Sequence, residues 1–240
     1  MGSSRFPGKP MAHILGKPMI GHVYDRVRLN PLLKSTVVAT CDQEIADYIE
    51  SIGGQAVMTG DHHKRASDRC SEALEILENQ TGIRYDIIVM VQGDEPMIHP
   101  EMISQGVQPM LDDPEVLVTN LMGKIENIDE FNDRNCVKVV CNNKGNALYF
   151  SREPIPTWSN SQDIPMNKQY GVILFRRNSL LEYMKMDLTP LEIIESVDML
   201  RILEHGMKVL MILTNYNIFN VDTPDELRQV EKFMQDLPPL

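Results

Sequence analysis

The chain has 240 residues, with 34 acidic against 23 basic side chains and a formal net charge of −11. That length suits one large α/β domain whose core closes without disulfides, and the acidic balance, with no lysine/arginine block, excludes a broad nucleic-acid-binding face. No apolar run is long enough to span a bilayer, no signal peptide precedes the first motif, and Cys41, Cys70, Cys136 and Cys141 form neither a CxxC pair nor a zinc spacing, so the expectation is a cytoplasmic protein with buried, reduced thiols.

Strand-like and helix-like segments alternate along the chain. After Pro18, a good first helical residue, Ile20, Val23, Tyr24 and Val27 recur at helical spacing. Residues 35–40 read as a short strand, Ile45, Tyr48, Ile49 and Ile52 as a helix ended by Gly53 and Gly54, and residues 55–59 as a second strand. Cys70, Leu74 and Leu77 mark a third helix. Residues 87–91 are a continuous apolar run of the kind a buried parallel strand shows. Pro100 opens a helix with Ile103, Val107 and Met110 on one face, and 116–121 follows as a strand. This rhythm predicts a doubly wound, mostly parallel α/β sheet of the Rossmann-like kind.

Beyond residue 130 the pattern changes. Segments 137–141 and 147–150 flank Asn142-Asn143-Lys144-Gly145-Asn146, which has hairpin-loop chemistry. Residues 151–168 read as an irregular loop and 170–175 as a strand. Ile193, Val197, Leu200 and Leu203 predict one helix stopping at Gly206, followed by a strand over 207–213 and a last helix carrying Leu227, Val230 and Met234.

Two aspartates carry the chemistry. Asp94 in Val91-Gln92-Gly93-Asp94-Glu95-Pro96 and Asp222 in Asn220-Val221-Asp222-Thr223-Pro224 each follow an apolar, strand-like run. An α/β sheet binds ligands just outside the carboxyl ends of its strands, where two carboxylates can hold Mg²⁺ against a phosphate. Each also has a structural reading as a helix cap, Asp94 before Pro100 and Asp222 in Asp-Thr-Pro-Asp-Glu. The amino-terminal loop Ser3-Ser4-Arg5-Phe6-Pro7-Gly8-Lys9-Pro10 offers Arg5 and Lys9 to phosphate oxygens, with Gly8 allowing close approach. It is not a Walker A loop: Pro10 stands where the metal-binding hydroxyl would be. A frayed terminus with two solvated cations is its other reading. Arg152, at the end of the 147–150 strand, can pair with a substrate carboxylate or be a surface arginine. Glu192 and Glu195 can accept from sugar hydroxyls or form a solvated face. His62 and His63 are adjacent, so in a helix or strand their side chains would diverge as surface residues.

These motifs, with Gly16-Lys17-Pro18-Met19-Ile20, Val38-Ala39-Thr40-Cys41-Asp42, Val137-Lys138-Val139-Val140, Ala147-Leu148-Tyr149-Phe150-Ser151-Arg152 and Thr189-Pro190-Leu191-Glu192, run in the order found in the sugar-acid cytidylyltransferases. The chain most resembles the 3-deoxy-manno-octulosonate (Kdo) branch. The resemblance implies transfer of CMP from CTP to the anomeric hydroxyl of a 2-keto-3-deoxy sugar acid with release of pyrophosphate, for cell-surface polysaccharide synthesis. It implies that Arg5 and Lys9 bind the triphosphate, that Asp94 and Asp222 hold Mg²⁺, and that Ser4, Thr40, Arg69 and Gln92 lie near the nucleotide. Arg152, Gln169, Glu192 and Glu195 would lie on the sugar side. It also implies one domain over 1–240, a hairpin-and-loop region at 134–190 contributing to the sugar site and dimer interface, and a homodimer.

Three departures accompany the resemblance. The strand that precedes the first loop in the family is expected to be missing, because the loop begins almost at Met1. Where the family carries Ser-Gly-Thr-Asp/Glu-Arg, this chain reads Arg65-Ala66-Ser67-Asp68-Arg69, and where it carries His-x-Gly-x-Tyr, this chain reads Gln169-Tyr170-Gly171-Val172-Ile173. The altered sugar side suggests an acceptor other than ordinary Kdo, such as an aminated relative. The competing readings are a sugar-1-phosphate nucleotidyltransferase and a non-catalytic nucleotide-binding protein.

Overall fold

The computed structural model describes residues 6–63, 65–157 and 166–236. In chain order the elements are a 3-10 turn over Lys9–Met11, β1 (His13–Ile14), β2 (Lys17–Pro18), α1 (Met19–Val27), β3 (Val38–Thr40), α2 (Gln43–Ser51), β4 (Ala56–Met58), α3 (Ala66–Thr81), β5 (Ile87–Val91), α4 (Pro100–Asp112), β6 (Val118–Lys124), α5 (Ile128–Asn132), β7 (Lys138–Cys141), β8 (Ala147–Ser151), β9 (Asn167–Arg176), α6 (Arg177–Tyr183), α7 (Pro190–Glu195), α8 (Met199–Glu204), β10 (Leu210–Leu213) and α9 (Pro224–Gln235). The expected α/β class is the class observed, but the sheet is mixed rather than mostly parallel: β6–β9, β7–β9 and β7–β8 pair antiparallel, because the hairpin and the long strand β9 are threaded among the parallel strands. The elements gather into two compact units. One comprises Met1–Arg84, Val91–Ser104 and Asn217–Leu240, the other Tyr85–Met90 and Gln105–Tyr216. No helix among the described residues is long and apolar enough to cross a membrane, and the four cysteines are free and half-buried rather than fully buried.

In the first unit β3 and β4 run parallel, Thr40 lying opposite Met58. Helix α2 joins them, and its Ile45 and Ile49 pack on Ile20 and Tyr24 of α1. This is the stripe that the helical spacing predicts. A second cluster holds Ile14 and Met19 against Val221, Val230 and Met234. Burying such side chains stabilises by about 1.5–3 kcal/mol each. The apolar face of α9 is thereby fixed to the amino-terminal segment, which carries the last part of the chain to the first.

The second unit contains a sheet in the order β10-β6-β9-β7-β8, with β5 also pairing β9. β10 is parallel to β6, with Leu210 opposite Thr119. β9 runs antiparallel to β6 and β7, and β8 antiparallel to β7. The expected hairpin is present: the Asn142 side chain accepts from the backbone N–H groups of Lys144 and Asn146 at 2.9 and 3.1 Å. A register shift separates Asn120 from Met122 in the β6–β9 ladder. The buried Asn120 amide fills that gap by donating to the carbonyls of Tyr170 and Val172, both at 2.9 Å.

One helix predicted over 193–203 is instead two, α7 and α8. Ser196 between them is left-handed, with φ 54°. The Glu195 and Ser196 carbonyls there accept from Arg152 at 2.7 and 3.3 Å. Apolar periodicity continues through the break because Val197, between the two helices, is buried as they are, so spacing alone does not reveal the interruption.

Candidate active site

Lys9, Asp94 and Asp222 meet in the first unit. Lys9 Nζ donates to Asp94 Oδ2 at 2.7 Å and to Asp222 Oδ1 at 2.9 Å, across sequence separations of 85 and 213. The loop reaches this point through Gly8, whose φ of 72° is a left-handed conformation that glycine adopts without strain. Pro10 then starts the 3-10 turn. Lys9 is nearly buried, and burial works against its charge. The two carboxylates outweigh that burial, Asp94 more than Asp222, and the ammonium is held above the ordinary lysine range.

The two aspartates are placed by backbone and by buried polar bonds. The Val221 N–H donates to the Asp94 carbonyl at 3.1 Å. One residue on each side, the Asn220 amide, oriented to donate, reaches both oxygens of the fully buried Glu95 at 2.9 and 3.1 Å. Glu95 thus accepts from an amide of the segment that carries Asp222. Asp222 is not the cap of α9. Thr223 and Glu226 form a capping box, with Thr223 Oγ1 accepting from Glu226 N at 3.3 Å and Glu226 Oε2 accepting from Thr223 N at 2.8 Å. The Asp222 carboxylate turns to Lys9 instead. Nor does Asp94 cap α4, which begins six residues later at Pro100. Asp222 also follows an extended stretch outside the named strands, since β10 ends at Leu213.

Thr40 and Arg69 converge through Thr59. The Thr59 N–H donates to the Thr40 carbonyl at 2.9 Å, and Arg69 Nη1 donates to Thr59 Oγ1 at 2.5 Å and to the Gly60 carbonyl at 3.2 Å. Both thus stand at the carboxyl ends of the parallel pair β3–β4. The Thr40 hydroxyl is buried and accepts from Asp42 N at 3.0 Å. Gln92 is half-buried just past β5. Ser4 and Arg5 lie outside the described residues.

The sugar-side candidates all fall in the second unit. Glu195 accepts from Ser151 Oγ at 2.8 Å, Tyr149 Oη at 3.3 Å and the Arg152 N–H at 2.8 Å. Arg152 donates through its side chain to the carbonyls of Glu195, Arg134 and Ser196. The Arg152 carbonyl is held by Lys138 Nζ at 2.8 Å, an ammonium that also grips the carbonyls of Asp133 and Cys136. Burial pushes Lys138 below its ordinary range. Gln169 Nε2 donates to Asn120 Oδ1 at 2.6 Å.

Glu192 departs from the solvated pair expected at 192 and 195. It is fully buried, and Arg201 takes both its oxygens at 2.7 and 2.6 Å while stacking on Tyr183 at 4.3 Å. A carboxylate so enclosed fixes α7 to α8 and does not present its oxygens to a sugar. The three-residue spacing shows that 192 and 195 share a helix face, but not that the face turns inward at one end. Asn220, Glu95, Asn120 and Lys138 organise these sites without having been singled out as site residues. Glu95 adjoins Asp94 and Asn220 lies two residues before Asp222, and this nearness in sequence is the signal for them.

Asp94 Oδ1 is buried and lacks a hydrogen-bond partner among the described residues. An all-oxygen pair that already converges on one cation, with a further buried oxygen lacking a donor, fits a hard divalent ion such as Mg²⁺.

A family model described as cytidylyltransferase matches residues 1–209. The chain is 40% identical to a 3-deoxy-manno-octulosonate cytidylyltransferase of Trichlorobacter lovleyi, over 98% of this chain and 95% of that protein. It is 41% identical to an 8-amino-3,8-dideoxy-manno-octulosonate cytidylyltransferase of Shewanella pealeana, over 96% and 93%. Among solved structures it is similar to a CMP:2-keto-3-deoxy-manno-octonic acid synthetase complexed with CTP, with a TM-score of 0.88, 36% identity and coverage of 98% and 95%.

Proposed function

The chain belongs to the cytidylyltransferase family, and from that premise we propose that it transfers CMP from CTP to the anomeric hydroxyl of a 2-keto-3-deoxy sugar acid, releasing pyrophosphate for cell-surface polysaccharide synthesis. The observation that carries this reading is the seat of Lys9 Nζ between Asp94 and Asp222. A phosphate-seeking cation and two metal-seeking carboxylates share one point, where an incoming nucleotide and ion can separate them.

Asp94 and Asp222 would hold Mg²⁺, which when bound lowers the pKa of the anomeric hydroxyl and offsets charge on the α-phosphate. Lys9, released from the carboxylates, moves its ammonium to the triphosphate and stabilises charge growing on the departing pyrophosphate, together with Arg5. Ser4, Thr40, Arg69 and Gln92 line the nucleotide. Arg152 and Gln169 orient the sugar acid, Glu195 fixes the Arg152 backbone, and Glu192 acts at one remove by holding α7. Positioning supplies much of the acceleration, as in other phosphoryl-type transfers.

Two acceptors follow from the similarities, Kdo and its 8-amino relative. Identity of 40% and 41% does not separate them. The Gln169-Tyr170-Gly171 departure on the sugar side favours including the amino sugar. The working form is a homodimer in the cytoplasm, where CTP is available. Ile193 and Ile194, 61% and 75% exposed on α7, offer apolar surface for the second copy.

The test is pyrophosphate release with CTP and Mg²⁺ against Kdo, its 8-amino relative and a sugar 1-phosphate. Release with either sugar acid is expected. Release with the sugar 1-phosphate alone would replace the reading by a sugar-1-phosphate nucleotidyltransferase, and CTP binding without release on any acceptor would reduce the protein to a nucleotide binder.

A further inference from the structure

The β4–α3 connection carries a cluster for which the reaction above has no use. His62 and His63 are adjacent, but they lie in a turn rather than a helix or strand. Their side chains therefore do not diverge: the ring centroids are 4.2 Å apart. His63 Nε2 meets Glu72 Oε2, nine residues on in α3. Among the described residues, His62, His63 and Glu72 each offer one ligand atom, all within 4.8 Å of one another.

Two features show how this convergence is built. A Cβ at Gly60 would fall on the His62 imidazole, so the ring folds back over the main chain only because residue 60 is glycine. The Gly60 N–H in turn donates to Glu72 Oε2 at 2.9 Å, aiming the carboxylate at the loop. A histidine–glutamate ion pair alone would account for His63 and Glu72. It gives no reason for His62 to be folded over Gly60 and against His63.

We propose that His62, His63 and Glu72 form a binding site for a divalent transition-metal ion of the zinc class, separate from the Asp94–Asp222 pair. Two imidazoles and a carboxylate are a borderline-soft donor set that suits zinc-class ions, whereas magnesium prefers oxygen alone. Ligands about 2.0–2.1 Å from a tetrahedral ion lie roughly 3.3 Å from one another. Atoms already within 4.8 Å reach that spacing by ring and carboxylate rotation on an exposed loop. Three protein ligands leave one position of the tetrahedron open. The same loop is gripped by Arg69 at Thr59 and Gly60, so an ion on the cluster would tie down the segment that positions Arg69.

The test is zinc binding to the whole protein in excess Mg²⁺, read by competition with a chromogenic chelator, with Co²⁺ absorption as a second readout. One Zn²⁺ per chain is expected. Each of H62A, H63A and E72Q should weaken it by at least about tenfold, and D94N should leave it unchanged. Glu72→Gln keeps size and shape, and Gly60→Ala, which displaces the His62 ring without touching a ligand, should also weaken binding. The proposal is overturned if the wild type does not compete with the chelator for zinc. It is equally overturned if the three ligand variants, folded by circular dichroism, bind as tightly as wild type, which would put the ion on cysteines. Neither failure bears on CMP transfer, which is read separately by pyrophosphate release.

Discussion

Lys9 stands between Asp94 and Asp222 in the first unit, with one Asp94 oxygen buried and lacking a partner among the described residues. In the second unit Glu195 accepts three hydrogen bonds, Arg152 donates to three carbonyls, and Glu192 and Arg201 close on each other in a buried bidentate pair. Charge in the first region is matched by a single lysine ammonium shared between two carboxylates. Charge in the second is largely committed to holding backbone. Similar residue types thus meet one side-chain cation in one place and a set of carbonyl and guanidinium groups in the other.

The sharpest way to break this contrast is Arg201→Met. If the Glu192–Arg201 pair is architectural, removing one partner leaves a buried, unpaired carboxylate and costs about 3–5 kcal/mol of stability in urea unfolding. A double replacement of both residues by leucine should recover much of it. An unchanged midpoint for the single variant would place Glu192 among the ligand-facing groups. Next in size is Asp94→Asn, which should lower turnover by about 100- to 1000-fold while the melting temperature stays close to wild type. Near-normal pyrophosphate release would remove Asp94 from metal binding.

Arg152→Lys gives a smaller, more selective effect. Loss of one charge-assisted hydrogen bond is worth about 1.5 kcal/mol, or roughly tenfold. The expected rise is in the KM for the sugar acid, with that for CTP little changed. A parallel rise for CTP would move Arg152 to the nucleotide side. Smallest is Thr223→Ala, which removes half of a capping box and should cost about 1 kcal/mol of stability. A large loss of activity at unchanged stability would show that Asp222 depends on that cap for its position.

The parts of the molecule that could be read in advance are those governed by short-range periodicity. The stripe Ile20, Val23, Tyr24 and Val27 does form α1, and Asn142–Asn146 does turn a hairpin. The meeting of Lys9 with Asp94 and Asp222 was legible as residue chemistry, because each motif joins charge to glycine or proline. How they meet was not: it depends on Ile14 and Met19 packing against α9 and on the Asn220–Glu95 bond, both long-range. The break between α7 and α8 and the burial of Glu192 were hidden for a related reason. A left-handed serine and an inward-facing glutamate leave no periodic trace, and Arg152 and Arg201, which stabilise them, are distant in sequence or on the next helix. The adjacency of His62 and His63 misled because divergence of neighbours holds for regular backbone, and they lie in a turn.

The main-chain link from Val221 to the Asp94 carbonyl joins the segment that carries Asp222 to the segment that carries Asp94 through backbone alone. Replacing either aspartate side chain leaves that tether in place. A substitution at one carboxylate therefore tests its chemistry while the two segments stay clamped in register.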